Sequence, residues 1–405
     1  MTAITLGMPI NYAGDFRETI ANLADFEAAG VGRVAVPEAY SFDAVSQLGF
    51  IAAKTEKMEL QTAVLPMYSR TPTNLAMTAA GLDYISGGRA ILGIGASGPQ
   101  VIEGFHGVKY DFPLGRAREH VEICRKVWRR ERVEYQGKHY TLPLDAEHGG
   151  SGLGKPLKII NHPIRERIPM LLAAIGPKNV ELAAEVFEEF QPVLYHPEHV
   201  ESVFGEALAA GRAKRDPSMG ELKIVVQAAA LVTEDEDQIN NALAGVRHHA
   251  ALYIGGMGAR GKNFYNSLVQ RYGYVDEAKL IQDLYLDGKK AEAAAAVPDE
   301  LVRAMSLIGP REVVAERLDA FARSGVGVIL AGPAAGTHRE RVETMATAVR
   351  GSGKRLAILF VASDQNHHPV ERNAQPAGGG RAVAVAPREG ESQFFEGDVA
   401  VSSHG

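Results

Sequence analysis

The chain has 405 residues, 46% of them hydrophobic and 23% charged, which is the balance of an ordinary water-soluble globular protein with room for a large core. Its 43 Lys and Arg against 49 Asp and Glu leave a formal net charge of -6, so it carries no basic footprint for nucleic acid or an anionic membrane surface. One cysteine, Cys124, excludes an internal disulfide framework and a cysteine-built metal centre.

Short β-rich runs alternate with longer helical patterns, the order that builds a parallel sheet through βαβ units. "AITLGMPI" (3–10) is the first strand, followed by a helical stripe over 15–29. "GRVAVPE" pairs with a helix near 43–54, and "MELQTAVLP" with one over 73–86 closed by "SGGR". "ILGIGASGPQ" (91–100) is a fourth strand and its turn, leading to a helix near 114–131. A polar insertion at 144–167 precedes the fifth strand, "IPMLLAAIGP"; "FQPVL", "LKIVVQAAALV" and "GVGVILAGP" are the sixth, seventh and eighth. Eight units in this order predict an α/β fold of the (β/α)8 TIM barrel type, with a site built from the loops after the strand C-termini. The barrel is expected over 1–349, and 350–405, which lacks the barrel period, as a largely non-core, disordered extension.

Gly93, Gly95 and Gly98 spell G-x-G-x-x-G, the dinucleotide fingerprint. That fingerprint belongs in a first βα turn with an acidic residue about 20 positions on; here three units come before it, and that distance falls inside a helix. What remains is a strand end whose backbone can approach a flat or anionic ligand without Cβ obstruction.

"SGGRAILGIGASGP", "AAIGPKNVELAAE", "LYIGGMGARGKNFYNSLVQRYGY", "IQDLYLDGKKAEAAAAVPDELV" and "SLIGPREVVAERLDAFARSGV" together resemble the bacterial luciferase-like superfamily, in the branch that uses the 5-deazaflavin coenzyme F420. The resemblance covers about 3–349 and implies a luciferase-like (β/α)8 barrel with an insertion region, a coenzyme F420 site with FMN as the alternative, a small-molecule substrate and homodimers paired through barrel helices. It implies a bulge with a non-prolyl cis peptide at Ala63-Val64 behind the deazaflavin ring; on its own, "TAVLP" reads equally as plain barrel strand. It places Ser97 and Gly98 at the pyrimidine edge. Gly176, Pro177, Lys178 and Asn179 open a helix whose N–H groups and dipole suit a phosphate, and Lys178 either adds charge there or faces solvent. Tyr68, Ser69 and Arg70 stand at the rim, where Arg70 pairs either with an anionic cofactor tail or with a helix carboxylate.

Sugar and alcohol dehydrogenases of this superfamily carry a His after the second strand and a Glu after the fourth-strand glycines; the matching positions here are Ala39 and, at or near it, Gly98. Glu38 is the ionisable candidate left, either a general acid or a structural carboxylate bonded to backbone or Arg. His106 is read as a pocket residue or as a structural loop histidine. His248 and His249 adjoin on one helix and cannot share a face, and no His/Glu spacing suits a metal. In "LYIGGMGARGKNFYN" (252–266), Met257, Phe264 and Tyr265 read as a lid over an apolar substrate, or else as a packed turn or subunit contact. At "EVFEEFQPVL" relatives usually show an Ala-Asp-Gly-Trp type of sequence, a departure expected to loosen the sixth strand.

The sequence therefore predicts a cytoplasmic oxidoreductase moving a hydride between F420 and a small organic substrate, with an activated C=C or C=N favoured over a sugar or alcohol. An FMN-dependent monooxygenase consuming O₂ and a catalytically silent cofactor-binding homologue are the alternatives. No metal, nucleic-acid or membrane role is expected.

Overall fold

A computed structural model describes residues 4–10 and 15–352. Eight strands form the barrel: β1 (Thr5–Pro9), β2 (Arg33–Val36), β3 (Glu59–Thr62), β4 (Ala90–Gly95), β5 (Met170–Ala173), β6 (Glu189–Gln191), β7 (Lys223–Val232) and β8 (Val326–Pro333). Each pairs in parallel with the next, and β8 returns to β1, so the sheet closes. Every residue of β2 and β4 is buried, as expected where helices cover the outside and side chains fill the lumen.

The lumen is layered. Its lower layer is polar: the Arg33 guanidinium forks onto Glu189 at 2.6 and 2.9 Å and also reaches Glu59 and Gln61, while Gln61 donates to Gln191 at 2.9 Å. Burial works against the charge of Arg33, but Glu189 and Glu59 outweigh it and hold the guanidinium protonated. Above it lies an apolar cluster of Ala35, Ile91, Leu171, Val225, Val328 and Leu330, on which Ala63 and Val64 rest.

The helices begin and end where their termini can be satisfied. Asp43 accepts from the Ser46 N–H, Thr71 from the Asn74 N–H with Pro72 at the first helical position, and Asp235 from the Asp237 and Gln238 N–H groups. The stripe over 15–29 is two helices, Phe16–Ala21 and Leu23–Ala28, meeting at Asn22. The sixth strand is not loosened: β6 pairs with both neighbours, because Glu189 is anchored to Arg33 and Phe187 and Phe190 are fully buried. β7 outruns the barrel and its last three residues pair with an additional strand, Leu307–Gly309. Between β7 and the helix Arg311–Arg323 the chain makes a helical insertion at the C-terminal face, residues 236–304.

The expected extension over 350–405 falls, from residue 353 onward, outside the described residues. No helix among them is long and apolar enough to cross a membrane, and no group of His, Cys, Asp or Glu among them is placed to hold a metal ion.

Candidate active site

The C-terminal mouth is built on a backbone shelf. β3 ends at Thr62, the Ala63-Val64 peptide is cis, and Leu65 and Pro66 resume pairing beside Ile94 and Gly95. The shelf determines the glycines of the fourth strand. A Cβ on residue 93 would lie 2.0 Å from the Thr62 carbonyl oxygen, and one on residue 95 would lie 2.8 Å from Val64 Cγ2. Two of the three glycines thus make room for protein backbone and a valine. Gly98 has an extended backbone that any residue adopts and caps the short helix Pro99–Ile102, while Ser97 before it is left-handed, with φ 56°.

Gly176 is the N-cap of helix Pro177–Val186, with Pro177 at the first helical position and no side chain capping it. The first N–H groups are therefore left for an anion. Lys178 extends into solvent and pairs with Glu181 at 2.9 Å. Lys214 and Lys178 together hold the Glu181 carboxyl down, to about 2. Asn179 follows within the first turn.

For Glu38 and Arg70 the geometry selects the structural alternative in both cases. Arg70 grips Glu38 with both arms, at 2.5 and 3.1 Å, and Asp43 at 2.9 Å; Glu38 also accepts the Ala44 N–H at 2.8 Å. Burial opposes the charge on Arg70, but hydrogen bonds to Glu38 and the charges of Glu38 and Asp43 outweigh it and raise its pKa. A carboxylate that already accepts from both arms of Arg70 and from the Ala44 N–H stands in the structural role, the second of the two readings given for Glu38. Arg70, saturated in the same way, has no arm free for a cofactor tail.

Aromatic side chains line the walls. Tyr68 donates to the Asp111 carbonyl at 2.6 Å and lies 5.2 Å from the ring of Tyr110, whose hydroxyl faces the Ser97 carbonyl at 3.4 Å. Phe105 spans from Tyr40 to His106, and the Nε2 of His106 is sealed from solvent with no partner.

The insertion forms the roof. Helix Glu236–Ala251 runs into a π-turn, Leu252–Gly256, whose loosened carbonyls are taken by two asparagines: Asn263 donates to Tyr253 and Ile254, and Asn266 to Ile254 and Ala278. Gly255 and Gly256 press against Tyr285, where an added Cβ would come within 2.4 Å of its Cβ and 2.6 Å of its ring respectively. The glycine-rich stretch is thus a packed turn, one of the readings given for it. Met257 and Phe264 are 42% and 70% exposed, and Tyr265 meets the ring of Tyr253 edge-on at 4.8 Å.

The sequence reading did not single out Tyr110 or Tyr253, weighed His249 only as a metal ligand, and took the two asparagines only as part of a motif. His249 and Tyr253 are four apart on one helical surface, the one signal that could have paired them.

The luciferase-like monooxygenase family model matches residues 1–327. A Mycobacterium tuberculosis protein named, by inference, a coenzyme F420-dependent oxidoreductase is 39% identical over 354 residues, 85% of this chain and 98% of that one. The 5,10-methylenetetrahydromethanopterin reductase of Archaeoglobus fulgidus is 29% identical over 302 residues, 73% of this chain and 83% of its own. Among solved structures, the coenzyme F420-dependent tetrahydromethanopterin reductase of Methanopyrus kandleri superposes with a TM-score of 0.71 at 20% identity, covering 87% of this chain and all of that one, a likeness of fold.

Proposed function

The chain belongs to the luciferase-like monooxygenase family, and on that premise we propose that it is an oxidoreductase transferring a hydride between coenzyme F420 and a small organic substrate. The observation that carries the reading is the close fit of Gly93 and Gly95 against the Thr62 carbonyl and Val64, at a barrel mouth that also holds an uncapped helix N-terminus.

The residues present fit the cofactor. A planar tricyclic ring needs a floor free of side chains, and Ala63 and Val64 with two glycines behind them supply one. Ser97 and Gly98 would meet the ring's polar edge, and Gly176, Pro177, Lys178 and Asn179 its phosphodiester. When bound, the cofactor supplies the hydride at its deazaflavin C5. The chain contributes position and the proton that accompanies reduction.

Ala39 and Gly98 at the positions of the alcohol-oxidising His and Glu favour reduction of an activated C=C or C=N over oxidation of a sugar or alcohol. Titrating the full chain with F420 and with FMN, followed by fluorescence quenching, tests the reading. It expects saturable one-to-one binding of F420 and weaker binding of FMN; tight FMN binding with none of F420 overturns it.

A further inference from the structure

The loops after β3 and β4 are stitched together at the mouth by two tyrosines whose hydroxyls are held very differently. Met67 donates its N–H to the Gly95 carbonyl at 3.0 Å, which sets the next residue, Tyr68, at the end of β4 beside the shelf. The Tyr68 hydroxyl donates to the Asp111 carbonyl at 2.6 Å, and its ring lies 5.2 Å from that of Tyr110 at an interplanar angle of 34°. Tyr110 is also fixed through its backbone, where its N–H donates to Glu103 at 3.0 Å. Its hydroxyl lies 3.4 Å from the Ser97 carbonyl, two residues past the end of β4.

An O–H···O bond normally spans about 2.5–3.0 Å, so the Tyr68 proton is committed while the 3.4 Å contact of Tyr110 is barely a bond. The neighbouring hydroxyls of Thr62 and Ser69 are taken up by the backbone of Gly93 and Pro66, at 2.8 and 2.9 Å. That leaves Ser97 and Tyr110 with hydroxyls to offer a ligand. An aliphatic alcohol does not give up its proton in water's pH range, whereas a phenol does. Ser97 is left-handed, with φ 56°, an uncommon conformation for a residue with a side chain and one that gathers at functional sites. Tyr110 is therefore the one acidic hydroxyl at the ends of β3 and β4 that the chain leaves uncommitted, and it is half-buried, within reach of both ligand and solvent.

We propose that Tyr110 is the proton donor of the reduction, its phenol hydrogen bonding the oxygen of a substrate in which the reduced C=C is conjugated to a carbonyl. This rests on the hydride-transfer reading above and chooses within it. An imine must be fully protonated before it accepts a hydride readily, and a phenol is too weak an acid to do that near neutral pH. An unsaturated carbonyl needs only a hydrogen bond until the hydride arrives, and the enol then formed is an acid of about phenolic strength, so the proton transfer is matched. The hydride forms the new C–H bond and brings two electrons. The displaced π pair comes to rest on the carbonyl oxygen, which takes the phenolic proton: one O–H bond forms and one breaks. The tyrosinate regains its proton from solvent, and the enol tautomerises to the saturated carbonyl compound. Burial raises the pKa of Tyr110, which keeps the donor protonated through the neutral range. The titratable and charged groups around it are Tyr68 from the loop after β3, Glu103, Lys109 and Asp111 on its own loop, Arg116 on the helix that follows, and Tyr265 on the insertion.

The test uses the full chain with F420H2 under exclusion of oxygen, and 2-cyclohexen-1-one and menadione as probes. Wild type is compared with Tyr110→Phe, which keeps the ring against Tyr68, and with a chain carrying 3,5-difluorotyrosine at position 110, a more acidic phenol. Wild type should reduce at least one probe, and Tyr110→Phe should lower kcat roughly 100-fold with F420 affinity and melting temperature unchanged. The difluorotyrosine chain should stay active but lose its rate at a lower alkaline pH than wild type, because its phenol ionises sooner; a ring with a purely structural role would cause no such shift. Full activity in Tyr110→Phe, or an alkaline limb that does not move, overturns this proposal. A matching loss of F420 affinity overturns it too, since Tyr110 would then be a cofactor residue. So does a wild type that binds F420 and reduces neither probe, an outcome that leaves the hydride-transfer reading standing, whereas failure of the wild type to bind F420 overturns both.

Discussion

Val64 Cγ2 occupies the space a side chain at position 95 would need, with an ideal Cβ on Gly95 only 2.8 Å away. At Gly93 the obstacle is harder, because the atom 2.0 Å from the ideal Cβ is the Thr62 carbonyl oxygen, which cannot rotate aside. The shelf and the fourth strand therefore constrain each other.

Gly93→Ala must displace the end of β3, at a cost of roughly 3 kcal/mol or more, and should abolish cofactor binding in whatever protein still folds. Gly95→Ala meets only a valine methyl and should cost less. Gly98→Ala, whose Cβ would approach no closer than 3.3 Å to the Gln100 side chain, should leave stability nearly unchanged. Thermal melts of the three variants give the ranking 93, 95, 98 in order of decreasing damage, and a reversed order would contradict the steric account.

Glu38→Gln separates a structural carboxylate from a proton donor. As Arg70's partner it should cost about 1–3 kcal/mol of stability while leaving the shape of the pH–rate profile intact. Were it the proton donor, the variant would melt normally and lose catalysis by a factor of 100 or more.

Arg33 and Glu189 are 1% and 2% exposed, so removing one leaves a charge uncompensated in the lumen. Glu189→Ala should lose about 3–5 kcal/mol. The double change Arg33→Met with Glu189→Leu should lose less than Glu189→Ala alone, since it leaves no unpaired charge from this pair. Urea melts of both variants decide this.

Asn263 caps helix Phe264–Arg271 and holds the carbonyls of Tyr253 and Ile254. Asn263→Ala should cost about 2–3 kcal/mol and make amides of the π-turn exchange faster, with amides of the barrel strands unaffected at low denaturant. Uniform acceleration across the barrel would mean that the roof is not a separate unit.

His196 is buried, with Nδ1 3.1 Å from Glu198 but outside hydrogen-bond geometry and Nε2 without a partner. Burial, with His199 and Arg317 nearby, lowers its pKa to about 4, against the opposing pull of Glu198 and Glu300. Between that value and the ordinary histidine value of 6.5 the unfolded chain binds the proton and the native chain does not, so stability should fall as pH drops through this window, by up to ~1.4 kcal/mol per pH unit. His196→Phe should flatten that slope.

The barrel was legible because its strands are short apolar runs, each bounded by a helix with ordinary capping chemistry. "IPMLLAAIGP" and "GVGVILAGP" need no tertiary knowledge to be read as strands. The glycines at 93 and 95 were visible as places for close approach, but the thing approaching, Val64, was not, because nothing local connects positions 30 residues apart. The Arg33–Glu189 pair, 156 positions apart, was invisible for the same reason. For Glu38 an Arg is among the partners legible in sequence, whereas for Arg70 the carboxylate it grips lies in the loop after β2 and not on a helix, so only geometry joins the two. In the glycine-rich turn the conspicuous residues, Met257 and Phe264, face solvent, while the asparagines that hold the turn look unremarkable in sequence.

The central claim is hydride transfer with F420. It is tested most directly by following the reoxidation of F420H2 by the full chain under strict exclusion of oxygen, with menadione and a panel of activated alkenes and imines as acceptors. The account predicts enzyme-dependent reoxidation with matching reduction of at least one acceptor and no requirement for oxygen. Reoxidation that appears only when oxygen is admitted, or turnover with reduced FMN and none with F420H2, would contradict it.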